Sequence, residues 1–217
     1  MTNISASDVG KLRRQTGSGM MDCKNALVES NGDFDLAVDI LRKKGQKVAA
    51  KRADRQAMEG VVIASNNSDS SKAVLISLNC ETDFVAINEG FIALAQSFLD
   101  AAMAHKPTNM DQLMAIELNG MTISDKITEQ TGVIGEKLDL SRFEVVQSDF
   151  VASYIHGGNK LATLVGLTDQ VDTQIGKDVA MQVAAMSPVS VDKDSVSQEV
   201  IDKELEVAKD LARQEGK

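Results

Sequence analysis

The sequence predicts an α+β protein in which a small helical module precedes a core of antiparallel strands and helices. Residues 1–55 show helical periodicity, and from Gly60 the pattern changes to the period of two that is typical of strands. A strand hairpin followed by a helix then occurs twice, around 60–105 and around 142–186. We therefore divide the chain into three units: a helical module at 1–55 and two similar α+β subdomains at 56–140 and 141–217.

The charge is unevenly distributed over the 217 residues, whose net charge is −9. Residues 1–59 carry 11 basic against 8 acidic side chains, a net of +3, and residues 60–217 carry 12 against 24, a net of −12. An acidic core is unsuited to coating a phosphate backbone, so we expect no direct contact with nucleic acid. No apolar run approaches the roughly 18 residues that span a membrane, and the N-terminus has no secretory signal, so we expect a cytoplasmic protein.

Three short helices are predicted in the module, each bounded by a recognisable cap or turn. Ser5 caps the first helix, with Asp8 at its third position, and the small residues at 16–19 end it. The second helix ends at 31–32, an Asn-Gly pair. Asp33 caps the third helix and Gly45 is expected to end it. The basic stretch at 42–55 then forms a solvated linker helix, an interpretation favoured over a nucleic-acid patch because no aromatic residue interleaves it.

The core segments follow from the same patterns. Strands are predicted at 61–64, 73–79, 142–147, 150–155 and 161–167, and helices at about 88–105, 110–117, 124–131 and 173–186. The segment at 132–137 is expected to return to a strand pattern. A last helix begins with a capping box of Ser195 and Gln198. Its apolar seam resembles the start of a coiled coil, with the spacing 4-3-4 between Ile201, Leu205, Ala208 and Ala212.

An aromatic residue stands on the connection between a strand and a helix. Residues 74–79 alternate as a strand, residues 81–83 favour a turn, and Phe84 follows immediately before the next helical pattern. The chain has six Phe, one Tyr and no Trp, so aromatic residues are scarce. Phe84 either turns inward to close the core or protrudes as an anchor for a partner. The pattern alone leaves both open.

Residues 79–85, Asn-Cys-Glu-Thr-Asp-Phe-Val, resemble the central motif of bacterial elongation factor Ts, the nucleotide exchange factor of elongation factor Tu. Residues 12–27 resemble the N-terminal motif of that family, which lies in a fold similar to the ubiquitin-associated domain. Residues 132–137 resemble its glycine-glutamate segment. Residues 154–161, which begin Tyr-Ile-His-Gly-Gly, resemble its tyrosine-x-histidine-glycine hairpin.

The resemblance implies an exchange factor that is not an enzyme and that needs no cofactor or metal of its own. The chain has no phosphate-binding loop, so it would act on nucleotide that elongation factor Tu holds. The residues that would displace Mg²⁺ from the partner are Thr82, Asp83, Phe84 and Val85. Among them, we expect Asp83 to fix the turn that projects Phe84 by bonding to nearby backbone N–H groups. The residues that would bind the partner are Arg13, Met20, Met21, Lys24, Ile134, His156 and Gly157. Two adjacent methionines cannot both face one core, so at least one should be exposed.

Two other functions stay open on the sequence alone. The first is an adaptor of the ubiquitin-associated type, in which the module binds a protein and the core only carries it. The second is a thiol hydrolase that uses Cys80 and His156, although no third group to orient them is apparent. The oligomeric state does not follow from the sequence.

Overall fold

The computed structural model describes residues 4–216 and contains helices and short antiparallel strands in the following order. The elements are α1 (Ala6–Thr16), α2 (Met20–Glu29), α3 (Phe34–Arg52), β1 (Glu59–Asn66), β2 (Lys72–Cys80), α4 (Asp83–Ala86), α5 (Glu89–His105), α6 (Met110–Met114), β3 (Glu117–Leu118), β4 (Met121–Thr122), α7 (Ile123–Ile134), β5 (Asp139–Gln147), β6 (Phe150–Ile155), β7 (Ala162–Leu167), α8 (Thr173–Met186), a 3₁₀ helix (Lys193–Ser195) and α9 (Gln198–Gln214). This mixture confirms the α+β class.

Helices α1, α2 and α3 form a small module with its own core. The predicted caps are confirmed: Ser5 and Asp8 make a reciprocal capping box on α1, and the Asp33 carboxylate accepts a hydrogen bond from Leu36 N on α3. Gly17 ends α1 with φ at 71°, a conformation that favours glycine. The buried side chains of the module are Val9, Leu12, Cys23, Ala26, Leu27, Ala37 and Leu41. The likeness of this module to a ubiquitin-associated domain stays a prediction.

The prediction that Gly45 ends the third helix is wrong. Helix α3 runs through Gly45 to Arg52, so the predicted linker helix is the second half of α3. Gly45 lies where α3 crosses α7, against Gly132: a Cβ on Gly132 would stand 2.2 Å from the Gly45 Cα. Glycine inside a helix costs about 1 kcal/mol relative to alanine. Here it permits two helix backbones to touch, and this contact fixes the module against the core.

A three-stranded antiparallel sheet with the order β1-β2-β5 forms the centre of the core. Helix α5 packs against β1 and β2, and the apolar side chains between them include Ile76, Leu78, Phe98 and Leu99, all fully buried. Most of β5 belongs to residues that the sequence groups with the second subdomain, yet the strand pairs with β2. The proposed boundary between residues 140 and 141 stays a prediction.

The hairpin of β6 and β7 and the helix α8 make a smaller unit, with Phe150, Ala152 and Ala180 buried between them. Hydrogen bonds join this hairpin to β1 and to the turn between β1 and β2: Val62 N donates to Asn159 O (2.7 Å), and Val151 N donates to Ser70 O (2.6 Å). The tip of the hairpin therefore lies beside β1.

Three further predictions are corrected. The helix predicted at 110–117 ends at Met114, because the chain turns into the two-residue strands β3 and β4. Residues 132–134 continue α7, which Gly135 ends in the left-handed conformation, so strand β5 begins only at Asp139. Helix α9 is capped by Ser197 and not by Ser195, which belongs to the 3₁₀ helix. No residue of α9 is buried, and its likeness to a coiled coil stays a prediction.

Candidate functional site

Phe84 protrudes from the single-turn helix α4. Strand β2 ends at Cys80, two residues carry the chain onward, and α4 occupies Asp83–Ala86. Ala86 is buried in the main core and Val85 packs against that core, whereas 79% of the Phe84 surface is exposed. Of the two orientations that the sequence left open, the structure has the outward one. An aromatic side chain held outward on an anchored turn suits insertion into another molecule.

An apolar groove of about 380 Å³ lies beside Phe84. Its lining brings Phe84 together with Ile134, which the sequence analysis named as a separate contact residue, and it includes Gly17 of the module. The remaining lining residues are Val85, Asn88, Gly90, Phe91, Leu94, Gln130 and Val133. The groove therefore joins the module and the core on the side where Phe84 projects.

The turn in front of Phe84 is held by the carboxylate of Glu136. One oxygen, Oε2, accepts hydrogen bonds from Glu81 N (3.1 Å) and Thr82 N (3.0 Å). The other, Oε1, accepts one from Thr82 Oγ1 (2.7 Å). Three donors thus converge on one carboxylate, and hydrogen bonds to a carboxylate are stronger than those to a neutral acceptor. Both backbone N–H groups that precede α4 are held by this side chain.

A second carboxylate, that of Glu81, accepts hydrogen bonds from the residue after Glu136 and from the end of α3. Glu81 Oε1 accepts a hydrogen bond from Lys137 N at 2.7 Å, and Arg52 Nη1 lies 2.8 Å and 2.9 Å from its two oxygens. The hydrogen bond from Lys137 N, and then that of Arg52, lower the pKa of Glu81 below its usual value. Arg52 is the last residue of α3, so this ion pair connects the end of the module's long helix to the Phe84 turn.

Asp83 does not hold the turn as expected. Within residues 4–216 its carboxylate accepts no hydrogen bond, and it is exposed at the start of α4. The sequence predicted that Asp83 fixes the turn. The carboxylate that accepts the hydrogen bonds of the turn is instead that of Glu136, which is 54 residues from Thr82.

The four residues of the module that the sequence analysis expects to bind a partner lie at its surface. Met20 and Met21 begin α2 with 55% and 62% of their surfaces exposed, so both are exposed where the sequence required only one. Arg13 and Lys24 are exposed on α1 and α2. They flank the turn that contains Gly17, and that turn lines the groove beside Phe84.

His156 and Gly157 stand exposed at the tip of the β6–β7 hairpin. The Nδ1 atom of His156 shares a hydrogen bond of 2.9 Å with Tyr154 Oη, which orients the imidazole. On the same tip, Lys160 Nζ pairs with Glu59 Oε2 at 2.7 Å. The hydrogen bond and charge of Glu59, with a smaller contribution from Asp83, raise the pKa of Lys160.

Comparison with known proteins places these features in a family. The family model described as elongation factor TS matches residues 81–217. A protein named elongation factor Ts from Christiangramia forsetii is 53% identical, over 100% of this chain and 79% of its own length. Proteins of the same name from Flavobacterium psychrophilum and Porphyromonas gingivalis are 52% and 48% identical, and the alignments cover 79% and 78% of their lengths.

The chain belongs to the elongation factor Ts family. The name of this family describes a translation elongation factor, which agrees with the resemblance found in the sequence.

A thiol nucleophile in this chain is disfavoured by the environment of Cys80. The thiol is buried and donates a hydrogen bond to Thr82 O at 3.1 Å. Burial, and next the negative charge of Glu136, raise the pKa of Cys80 to about 11. A reactive cysteine needs the opposite shift, because the thiolate is the nucleophile. Cys80 therefore acts as a packed side chain beneath the Phe84 turn.

Sequence reasoning missed the supports of the site, namely Glu136, Glu81 and Arg52. Their positions in the chain are 52, 81 and 136, and no local pattern signals that such distant charges meet. The nearest signal was the glycine-glutamate segment at 132–137, which contains Glu136, but nothing in it shows which backbone groups the carboxylate reaches.

Two features are absent from the described residues 4–216. No group of three or more His, Cys, Asp or Glu side chains there could hold a metal ion. None of the helices there is long and apolar enough to cross a membrane.

Proposed function

We propose that this chain is a guanine nucleotide exchange factor that binds elongation factor Tu in its GDP form and promotes the release of GDP. The observation that carries the proposal is Phe84, a large apolar side chain exposed on a helix whose base is fixed by Glu136 and by the buried Ala86. An exposed apolar side chain of this size contributes most to the free energy of binding when a partner buries it. Membership of the elongation factor Ts family supports elongation factor Tu as that partner.

The proposed mechanism works on the nucleotide that the partner holds. A GTPase retains GDP through its phosphate-binding loop and through Mg²⁺, which neutralises phosphate charge. Insertion of Phe84, supported by Thr82, Asp83 and Val85, displaces the groups that hold Mg²⁺ and so weakens the grip on GDP. A thousandfold faster release requires the barrier to fall by about 4 kcal/mol. One well-placed aromatic residue with a supporting interface supplies energy of that size.

Two further surfaces hold the partner in place while Phe84 inserts. Arg13, Met20, Met21 and Lys24 give the module an adaptable apolar and basic face. Ile134 lies in the Phe84 groove, and His156 with Gly157 extends the contact to the hairpin tip. Because coupling between two binding events is reciprocal, bound nucleotide weakens the hold of the exchange factor by the same factor.

Release of labelled GDP from elongation factor Tu, with and without this chain, tests the proposal. We expect the wild-type chain to accelerate release and Phe84→Ala to lose most of that effect. Ile175→Ala is a matched control, since Ile175 is an exposed apolar residue on α8 that does not line the groove beside Phe84. Equal release with and without the wild-type chain would contradict exchange activity.

The alternative function, an adaptor of the ubiquitin-associated type, rests on the exposed pair Met20 and Met21. An adaptor would bind its partner through the module and would not depend on Phe84. We expect instead that the chain recovers elongation factor Tu from cytoplasmic extract, and that added GDP reduces the amount recovered. Recovery of a different protein, with no elongation factor Tu, would favour the adaptor.

A further inference from the structure

We propose that Glu136 is a positioning residue for exchange: its carboxylate sets the direction in which Phe84 projects. This inference rests on the proposed function and adds to it the group that keeps the inserted side chain in place. Glu136 does not itself need to touch the partner. It acts through the two residues that lead into α4.

The first step of the argument is the weakness of α4 by itself. The helix has four residues, too few to be stable in isolation. Its N-cap residue, Thr82, makes no side-chain hydrogen bond to the N–H groups of the helix. Its direction therefore depends on how its two ends are attached to the rest of the protein.

One end of α4 is attached by packing and the other by Glu136. At the C-terminal end, Ala86 is buried in the main core. At the N-terminal end, Glu136 takes the hydrogen bonds of Glu81 N, Thr82 N and Thr82 Oγ1. A carboxylate accepts all three with a negative charge that strengthens each bond, whereas a glutamine amide offers one oxygen to the two N–H groups, turns its NH₂ group toward Thr82 Oγ1 and carries no charge. Without this carboxylate, α4 is attached only at its C-terminal end, and the direction of Phe84 is no longer fixed.

Glu136 is itself held firmly, which a positioning residue requires. It follows Gly135, which ends α7 with φ at 82°. Helix α7 contacts α3 at the close approach of Gly132 and Gly45. The next residue, Lys137, donates its N–H to Glu81 and its Nζ to Ala53 O and Arg55 O, at 2.7 Å and 2.9 Å. The loop that supplies the carboxylate is thus tied to both the Phe84 turn and the end of α3.

The test compares Glu136→Gln with Glu144→Gln in the full chain. Glu144 is exposed on β5 and is not part of the site, so it controls for the loss of one negative charge. We expect Glu136→Gln to lower the maximal rate of GDP release by about ten- to a hundredfold, since a displacement of about 1 Å can have an effect of that size. Hydrogen exchange of residues 81–87, followed by mass spectrometry, should become faster in Glu136→Gln and not in Glu144→Gln.

A second pair of variants separates positioning from general damage. In the Phe84→Ala background, Glu136→Gln should have little further effect on release, because the side chain that it directs is gone. Thr82→Val removes one of the three hydrogen bonds and should give a smaller loss than Glu136→Gln. If Glu136→Gln slows release by the same factor with and without Phe84, the carboxylate acts elsewhere and the proposal is wrong.

The failure of this inference differs from the failure of the proposed function. If Phe84→Ala releases GDP as fast as the wild type, the proposed function fails and the positioning role fails with it. If Phe84→Ala is slow but Glu136→Gln is as fast as Glu144→Gln, exchange through Phe84 stands and the positioning role alone is overturned.

Discussion

Replacement of Phe84 by alanine should separate stability from exchange more clearly than any other single change. About a fifth of the residue is covered by the rest of the chain, since 79% is exposed. A buried aromatic side chain removes about 150–250 Å² from water, so the part lost here is about 40 Å². At about 25 cal/mol per Å² this corresponds to about 1 kcal/mol of unfolding free energy.

For a protein of this length, about 1 kcal/mol lowers the melting temperature by about 2–4 °C. Phe98→Ala is the contrasting variant, because Phe98 is 0% exposed, and it should cost about 3–5 kcal/mol. The effect on GDP release should have the opposite order, with Phe84→Ala slower than Phe98→Ala. Truncation of an interface anchor costs about 2 kcal/mol or more, so Phe84→Ala should slow release by about thirtyfold or more.

The assay measures melting by differential scanning calorimetry and release of labelled GDP from elongation factor Tu. Chelation of Mg²⁺ adds a third measurement: if Phe84 acts by displacing the ion, chelation should restore part of the rate that the variant lost. A large fall in melting temperature with a proportionate fall in release would refute the outward role of Phe84. No restoration by chelation would refute displacement of Mg²⁺ as its mechanism.

Three other variants test the remaining surfaces. The double variant Met20→Ala, Met21→Ala should weaken binding of elongation factor Tu about tenfold, measured by calorimetric titration, at an almost unchanged melting temperature, because both side chains are exposed. His156→Ala should slow GDP release about tenfold without a change in melting temperature, because its imidazole lies at an exposed hairpin tip. Gly132→Ala should lower unfolding free energy by about 1–3 kcal/mol in urea denaturation, because its Cβ would overlap Gly45.

Each of these variants has a control within the chain. Val28→Ala removes another exposed apolar side chain from α2, and His105→Ala another exposed histidine. Gly10→Ala places a Cβ in a helix with only the end of Arg14 within 4 Å, so it should not destabilise. If a control matches its test variant, the corresponding surface has no special role. A loss of stability in His156→Ala equal to its loss of exchange would make the histidine structural.

One tetrapeptide shows what local sequence could and could not predict. Asp-Phe-Val-Ala occurs at 83–86, where it forms α4 and exposes Phe84, and at 149–152, where it enters β6 and Phe150 is buried. Local sequence distinguishes the two copies only by the residues that precede them, Glu-Thr before the first and Gln-Ser before the second. It could not decide the direction of Phe84, because that direction depends on Glu136.

The strands, most helix bounds and the caps of the module followed from periodicity and from local hydrogen bonding, which neighbouring residues determine. Gly45 was misread because glycine ends many helices, and only the approach of Gly132 shows why this one lies within a helix. The supports of the Phe84 turn were missed for a similar reason. Their hydrogen bonds join residues 54 to 56 positions apart, and no local pattern records them.

The size of the ordering cost explains why an exposed anchor needs so much support. Fixing the backbone of one residue costs about 1–2 kcal/mol, so ordering the four residues of α4 only on binding would cost about 4–8 kcal/mol. Thousandfold acceleration requires the barrier to GDP release to fall by about 4 kcal/mol. A flexible turn would use binding free energy of that size for its own ordering. In this chain the cost is met on folding, by Glu136 and Glu81 at one end of the turn and by Ala86 at the other. In the proposed exchange, the contacts of Phe84 then act on the partner without that cost.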